Sequence, residues 1–104
     1  MADNASNERR IQRRVPFIKE IQIVGFGMRR CSDISIGGIY LETLAVFPEG
    51  TLLDLRFKLQ DSDPDDIQVQ TRVTYVHPGM GVGLIFTNLS AQDSEKLQKW
   101  MDRQ

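Results

Sequence analysis

Four arginines fall within six residues, Arg9-Arg10-Ile11-Gln12-Arg13-Arg14, and about twenty residues further on the chain reads Asp33-Ile34-Ser35-Ile36-Gly37-Gly38. Guanidiniums are planar, permanently charged forks that match phosphate oxygens and purine edges or faces. The second motif sets a carboxylate, a hydroxyl and a backbone free of a side chain at close quarters, and the N1–H and N2–H donors of a guanine are one partner for such a carboxylate. Either motif alone reads as a solvated basic tail or an ordinary turn between strands. Together, in this order, they point to a site for a nucleotide bearing phosphates.

The elements that must position these residues are short strands. Phe17 to Val24 alternates imperfectly, Gly25-Phe26-Gly27 offers a turn, and Met28 to Asp33 returns antiparallel. Gly38 to Thr43 is a third strand, followed by the breaker-rich turn Phe47-Pro48-Glu49-Gly50-Thr51. Leu52 to Leu59 places Leu53, Leu55, Phe57 and Leu59 on one face, the mark of a half-buried strand. After the acidic loop 60–66, Ile67, Val69, Thr71, Val73 and Tyr75 alternate, and residues 80–87 make the last strand after a turn at Pro78-Gly79. Ser90 reads as a helix N-cap with Asp93 at N3, and Leu97, Trp100 and Met101 fall on one helical face. The class is all-β with one C-terminal helix, a small antiparallel barrel. Its expected division is a disordered tail at 1–8, an arginine arm at 9–16, the barrel at 17–88 and the helix at 90–103.

A chain of 104 residues makes one domain, and 40% hydrophobic with 26% charged residues is an ordinary globular composition. No apolar run approaches the roughly 20 residues of a membrane span. The first seven residues carry no signal region, so a cytoplasmic protein is expected. Cys31, the only cysteine, has no partner for an internal disulfide. Charge is divided: residues 1–30 hold seven Lys/Arg and three Asp/Glu, whereas residues 31–104 hold six and eleven. An acidic body behind a basic arm speaks against nucleic acid, whose binders show positive charge over a whole face, and few aromatics are available to stack on single-stranded bases. A small anionic ligand fits better.

Other motifs fall away on their chemistry. Asp61, Asp63 and Asp65 have EF-hand spacing, but Asp66 stands where glycine is required and Arg72 where a bidentate Glu belongs. Gly79-Met80-Gly81-Val82-Gly83 puts Leu84 at the third glycine of a dinucleotide fingerprint and leads into no helix. His77, the only histidine, lacks metal-ligand spacing to any partner, and Ser35, His77 and Asp33 form no triad because no nucleophile elbow surrounds the serine. Neither an enzyme nor a metal or cofactor is expected.

At its two motifs the chain resembles the PilZ domain family, bacterial receptors for the second messenger cyclic di-GMP, whose signature is Arg-x-x-x-Arg followed by Asp/Asn-x-Ser-x-x-Gly. Arg10 to Arg14 and Asp33 to Gly38 match it without a gap, and Gly79 to Phe86 with the following helix start is similar to the family's last strand and helix. Arg9 and Arg13 satisfy the first motif too; the register Arg10/Arg14 is preferred because the second arginine leads directly into the first strand. The resemblance implies a six-stranded antiparallel barrel with a C-terminal helix. It further implies that Arg10 and Arg14 grip phosphates and guanines, that Asp33 and Ser35 bond guanine edges, and that Gly38 lets the backbone approach. Arg9 implies an intercalated ligand dimer, two ligands per protein. Arg13, Gly37 and Tyr75 are further candidates, Tyr75 either stacking on a base or lying in the core. The arm is expected to be mobile alone and to close on ligand, changing the surface offered to an effector protein. An adaptor of the same fold that binds no nucleotide is the alternative.

Overall fold

The structure, a computed structural model, describes residues 13–104. Six strands form, β1 (Val15–Ile23), β2 (Gly27–Ile34), β3 (Gly38–Glu42), β4 (Leu52–Phe57), β5 (Ile67–His77) and β6 (Gly81–Phe86), followed by helix α1 (Ala91–Asp102). All pair antiparallel and close in the order β1-β2-β3-β6-β5-β4, the six-stranded barrel with one C-terminal helix that the sequence implies. Alternation decides which side chains fill it. Leu53, Leu55 and Phe57 of β4 and Ile67, Val69, Thr71 and Val73 of β5 point inward, and Ile21, Ile23, Ile34, Ile39, Leu41 and Val82 complete a fully buried centre. Thr71 brings a hydroxyl inside, which donates to the Leu53 carbonyl at 2.8 Å, so its burial leaves no polar atom unpaired.

Three local features shape the frame around the motifs. Between β1 and β2 the chain reverses through Gly25 and Gly27, both at positive φ, where a Cβ would be strained. β1 begins at Val15, two residues before the apolar alternation, and a bulge between Pro16 and Lys19 accounts for the imperfect period. Among the described residues β1 pairs with β4 at Gln22 and Ile23, so the Pro16 end, paired with Asp33 of β2, has no partner on the β4 side. Helix α1 covers this opening: Trp100 packs edge-on against Phe17 at 5.3 Å between ring centroids, and Phe17 meets Phe57 at 6.1 Å. Ser90 caps the helix, its Oγ accepting from the Asp93 amide at 3.0 Å, and Leu97, Trp100 and Met101 are its buried face.

Cys31 lies fully buried on β2, and burial, reinforced by the nearby Asp33 carboxylate, pushes its thiol up to about 12. The folded chain therefore keeps this proton where the unfolded thiol, at about 9.0, has lost it. The stabilisation is complete below the unfolded value and declines as pH rises toward the folded one, by about tenfold in the folding equilibrium per pH unit. Urea midpoints measured above about pH 9 are expected to fall less steeply with pH in Cys31→Ala than in the wild type. Equal slopes would mean that the thiol is not held protonated.

Candidate functional site

The end of β2, the turn that follows and the start of β3 bring the second motif to one end of the barrel, where residue 14, just ahead of β1, meets it. The Arg14 guanidinium donates through Nε to Asp33 Oδ1 and through an Nη to Ser35 Oγ at 3.4 Å. Asp33 Oδ2 accepts from the Ser32 hydroxyl at 3.0 Å. A carboxylate offers about four lone-pair positions, so Asp33 retains acceptor capacity toward a further donor. Its side chain is 34% exposed and that of Arg14 43%, which leaves both reachable from solvent.

Ser35 has a different situation from its neighbour. It is 1% exposed, and its Oγ accepts from the Gly37 and Gly38 amides, each at 3.2 Å. The Ser35 amide donates to the Gly38 carbonyl at 2.9 Å, closing the turn. The hydroxyl thus organises the turn that presents Asp33 and Arg14, and Ser35 also lines the cavity beside that turn. Gly38 also has a reason of its own. A Cβ there would lie 2.1 Å from the Leu84 carbonyl oxygen of the paired strand β6, so the glycine is required by the approach of β3 to β6.

Around this turn lies a cavity of about 100 Å³ lined by Arg14, Ser35, Gly37, Gly38, Thr74 and Tyr75 together with β6. Tyr75 is not a core residue. A register shift between Val73 and Tyr75 breaks the alternation of β5 and turns the ring outward, where it is 41% exposed and lies across Gly83. Tyr40 lies across Gly81 in the same way, and its hydroxyl is bonded to His77 Nδ1 at 3.0 Å. Tyr40, Tyr75 and His77 form an outer aromatic strip with ring centroids 5.1 to 6.1 Å apart. Burial, with the nearby Tyr75, Asp33 and Glu42 side chains, pushes the Tyr40 phenol up. Sequence reasoning missed Tyr40 and this use of His77; two glycines at alternate positions of β6, opposite two tyrosines, are the signal that could have found them.

Arg13 turns away from the motif and donates to the Met101 and Gln104 carbonyls at 2.7 and 3.2 Å, against the C-terminus of α1. Arg9 and Arg10, and with them the tail, the first half of the arm and the paired-ligand expectation, lie outside the described residues. In the acidic loop, Asp61 pairs with Lys19 at 2.5 Å, which holds its carboxyl below the usual range, and Asp63 accepts from the Gln60 amide. Among the described residues no helix is long and apolar enough to cross a membrane.

Comparison with known proteins agrees with this geometry. Among solved structures the chain is similar to the Bacillus subtilis inhibitor of motility (MotI/DgrA), with a TM-score of 0.72 and 22% identity over 86% of this chain. It spans 48% of that protein's length, and at this identity the likeness concerns the fold. A search of curated proteins found no significant match. The model of the PilZ domain matches residues 7–103, nearly the whole sequence and both motifs. The chain therefore belongs to the PilZ domain family.

Proposed function

We propose that this chain is a receptor for cyclic di-GMP, a binding module that performs no reaction of its own. The observation that carries the reading is the convergence of Arg14 and Asp33 on a turn fixed by Ser35, beside a cavity bordered by Tyr75. Asp33 is the acceptor for guanine N1–H and N2–H, and Arg14 holds that carboxylate aimed while offering its outer edge to a phosphate or a base. That Arg14 meets Asp33 while Arg13 is engaged with α1 supports the Arg10/Arg14 register. Arg10 supplies the second fork, Arg9 a further charge suited to a stacked ligand pair, and Tyr75 a stacking face. Closure of residues 9–14 over the ligand alters the surface presented to an effector protein.

Calorimetric titration of cyclic di-GMP tests this. Asp33→Ala is expected to weaken binding by roughly tenfold to a hundredfold, the range for a hydrogen bond to a charged group. Two ligands per chain would support the role given to Arg9, and one would remove it. Absence of heat and of competition would favour a nucleotide-free adaptor. Because the solved relative is an inhibitor of motility, swimming behaviour is the phenotype to score first.

A further inference from the structure

A groove of about 520 Å³ lies at the other end of β2 and β3 from the motifs, bounded by Arg29, Glu42, Leu44, Ala45 and Met80. The loop that builds one wall is pinned on both sides. Thr43 is buried, its amide donates to the Met80 carbonyl at 3.0 Å, and its Oγ1 accepts from the Ala45 amide at 3.0 Å. Phe47 is buried and meets Phe26 edge-on at 5.2 Å. Between these anchors Leu44 and Val46 are held 83% and 74% exposed, and Met80 across the groove is 67% exposed. A fixed loop that presents apolar side chains to water is unfavourable for the isolated chain, and grouped exposed apolar residues mark interaction surfaces.

Charge identifies the occupant. The Arg29 guanidinium donates to Thr43 Oγ1, the Met28 carbonyl and the Phe26 carbonyl, all neutral acceptors, and forms no ion pair among the described residues. Arg30, next to it, is matched by Glu42 at 3.6 Å. The groove therefore carries one uncompensated cation beside an apolar floor. The barrel closes in the order given and α1 covers the opening at the Pro16 end of β1, while β2 and β3 beside the groove are paired on both sides, so recognition here runs through side chains. A second copy related by a twofold axis would set two faces of the same uncompensated sign against each other.

We propose that this groove docks an amphipathic helix of a partner protein, with leucine-type side chains against Leu44 and Met80 and a carboxylate on Arg29. The surface stands on its own contacts and does not depend on nucleotide binding; if the chain is a receptor, it is the face through which the effector is engaged.

The probe is a synthetic helix of about 15 residues with leucines at helical spacing flanked by glutamates, beside the same peptide with lysines in their place. Titrated into the ¹⁵N-labelled full chain without nucleotide, the glutamate peptide is expected to shift the amides of Arg29, Leu44 and Met80. It should bind about tenfold tighter than the lysine peptide, the effect of one charge-assisted contact. Arg29→Glu should invert that preference and Leu44→Asp should weaken both peptides, each variant keeping the wild-type spectral dispersion as its folding control. Equal affinity for the two peptides, shifts elsewhere on the barrel, or groove shifts that follow the concentration of the protein alone would each overturn the proposal, the last assigning the face to a second copy.

Discussion

Gly38→Ala is expected to lower the thermal midpoint by roughly 10 to 20 °C, corresponding to about 2 to 3 kcal/mol in a domain of this size. The added methyl lands 2.1 Å from the Leu84 carbonyl oxygen, 3.2 Å from its carbonyl carbon and 3.3 Å from the Ile85 Cα. All three atoms are backbone, so relief requires β3 and β6 to part at the Gly38 and Ile85 pair. Parting them also disturbs the Phe86 amide bond to the Gly37 carbonyl and the Ser35 turn, so cyclic di-GMP affinity should fall in the same variant. Gly83→Ala is the control. The three atoms nearest its methyl all belong to the Tyr75 ring, which can swing aside, so the midpoint should move much less while the aromatic face beside the cavity is displaced. Thermal unfolding followed by circular dichroism decides the matter, and a Gly38→Ala midpoint equal to wild type would show that the crowding is relieved without cost.

Arg14 gives the opposite combination, a large effect on ligand and a small one on folding. Its pair with Asp33 is solvent-accessible on both sides, and such pairs contribute about 0 to 1 kcal/mol. Arg14→Ala should therefore unfold near the wild-type temperature. Its cyclic di-GMP affinity should fall by roughly a hundredfold, because both the charge toward phosphate and the bond that aims Asp33 are lost. Arg14→Lys separates the two contributions. Lysine restores the charge as a point but cannot span Asp33 and Ser35 with one planar fork, so it should recover only part of the affinity. Calorimetry of the three proteins checks this, and a lysine variant binding like wild type would reduce the role of Arg14 to charge alone.

Much of the frame was legible because it is written locally. The Leu53, Leu55 and Phe57 alternation, the Ser90 cap and the Leu97, Trp100 and Met101 face each need only a few neighbouring residues to be read, and each has its counterpart in the structure. What escaped depends on residues distant in sequence. Thr74-Tyr75-Val76 continues a β-favouring run, and nothing in it announces the register shift that turns Tyr75 outward, where its ring lies over Gly83 on the facing strand. Likewise, the side-chain types of Asp33 and Ser35 suggest two equivalent ligand contacts. Only the closed turn reveals that Asp33 stands open to solvent while Ser35 is buried and also accepts from the Gly37 and Gly38 amides. Glycine at 38 was visible as a motif letter, while its packing reason required knowing that β6, forty-odd residues later, lies beside it.

The bonds from Arg13 to Met101 and Gln104 bring the residue that precedes the first strand against the far end of the chain. Anything joined behind residue 104, natural or engineered, would emerge beside Arg13 and not across the barrel from it. A fluorescent reporter attached there would sit beside Arg13, so the closure of residues 9–14 proposed above would change its emission when cyclic di-GMP is added.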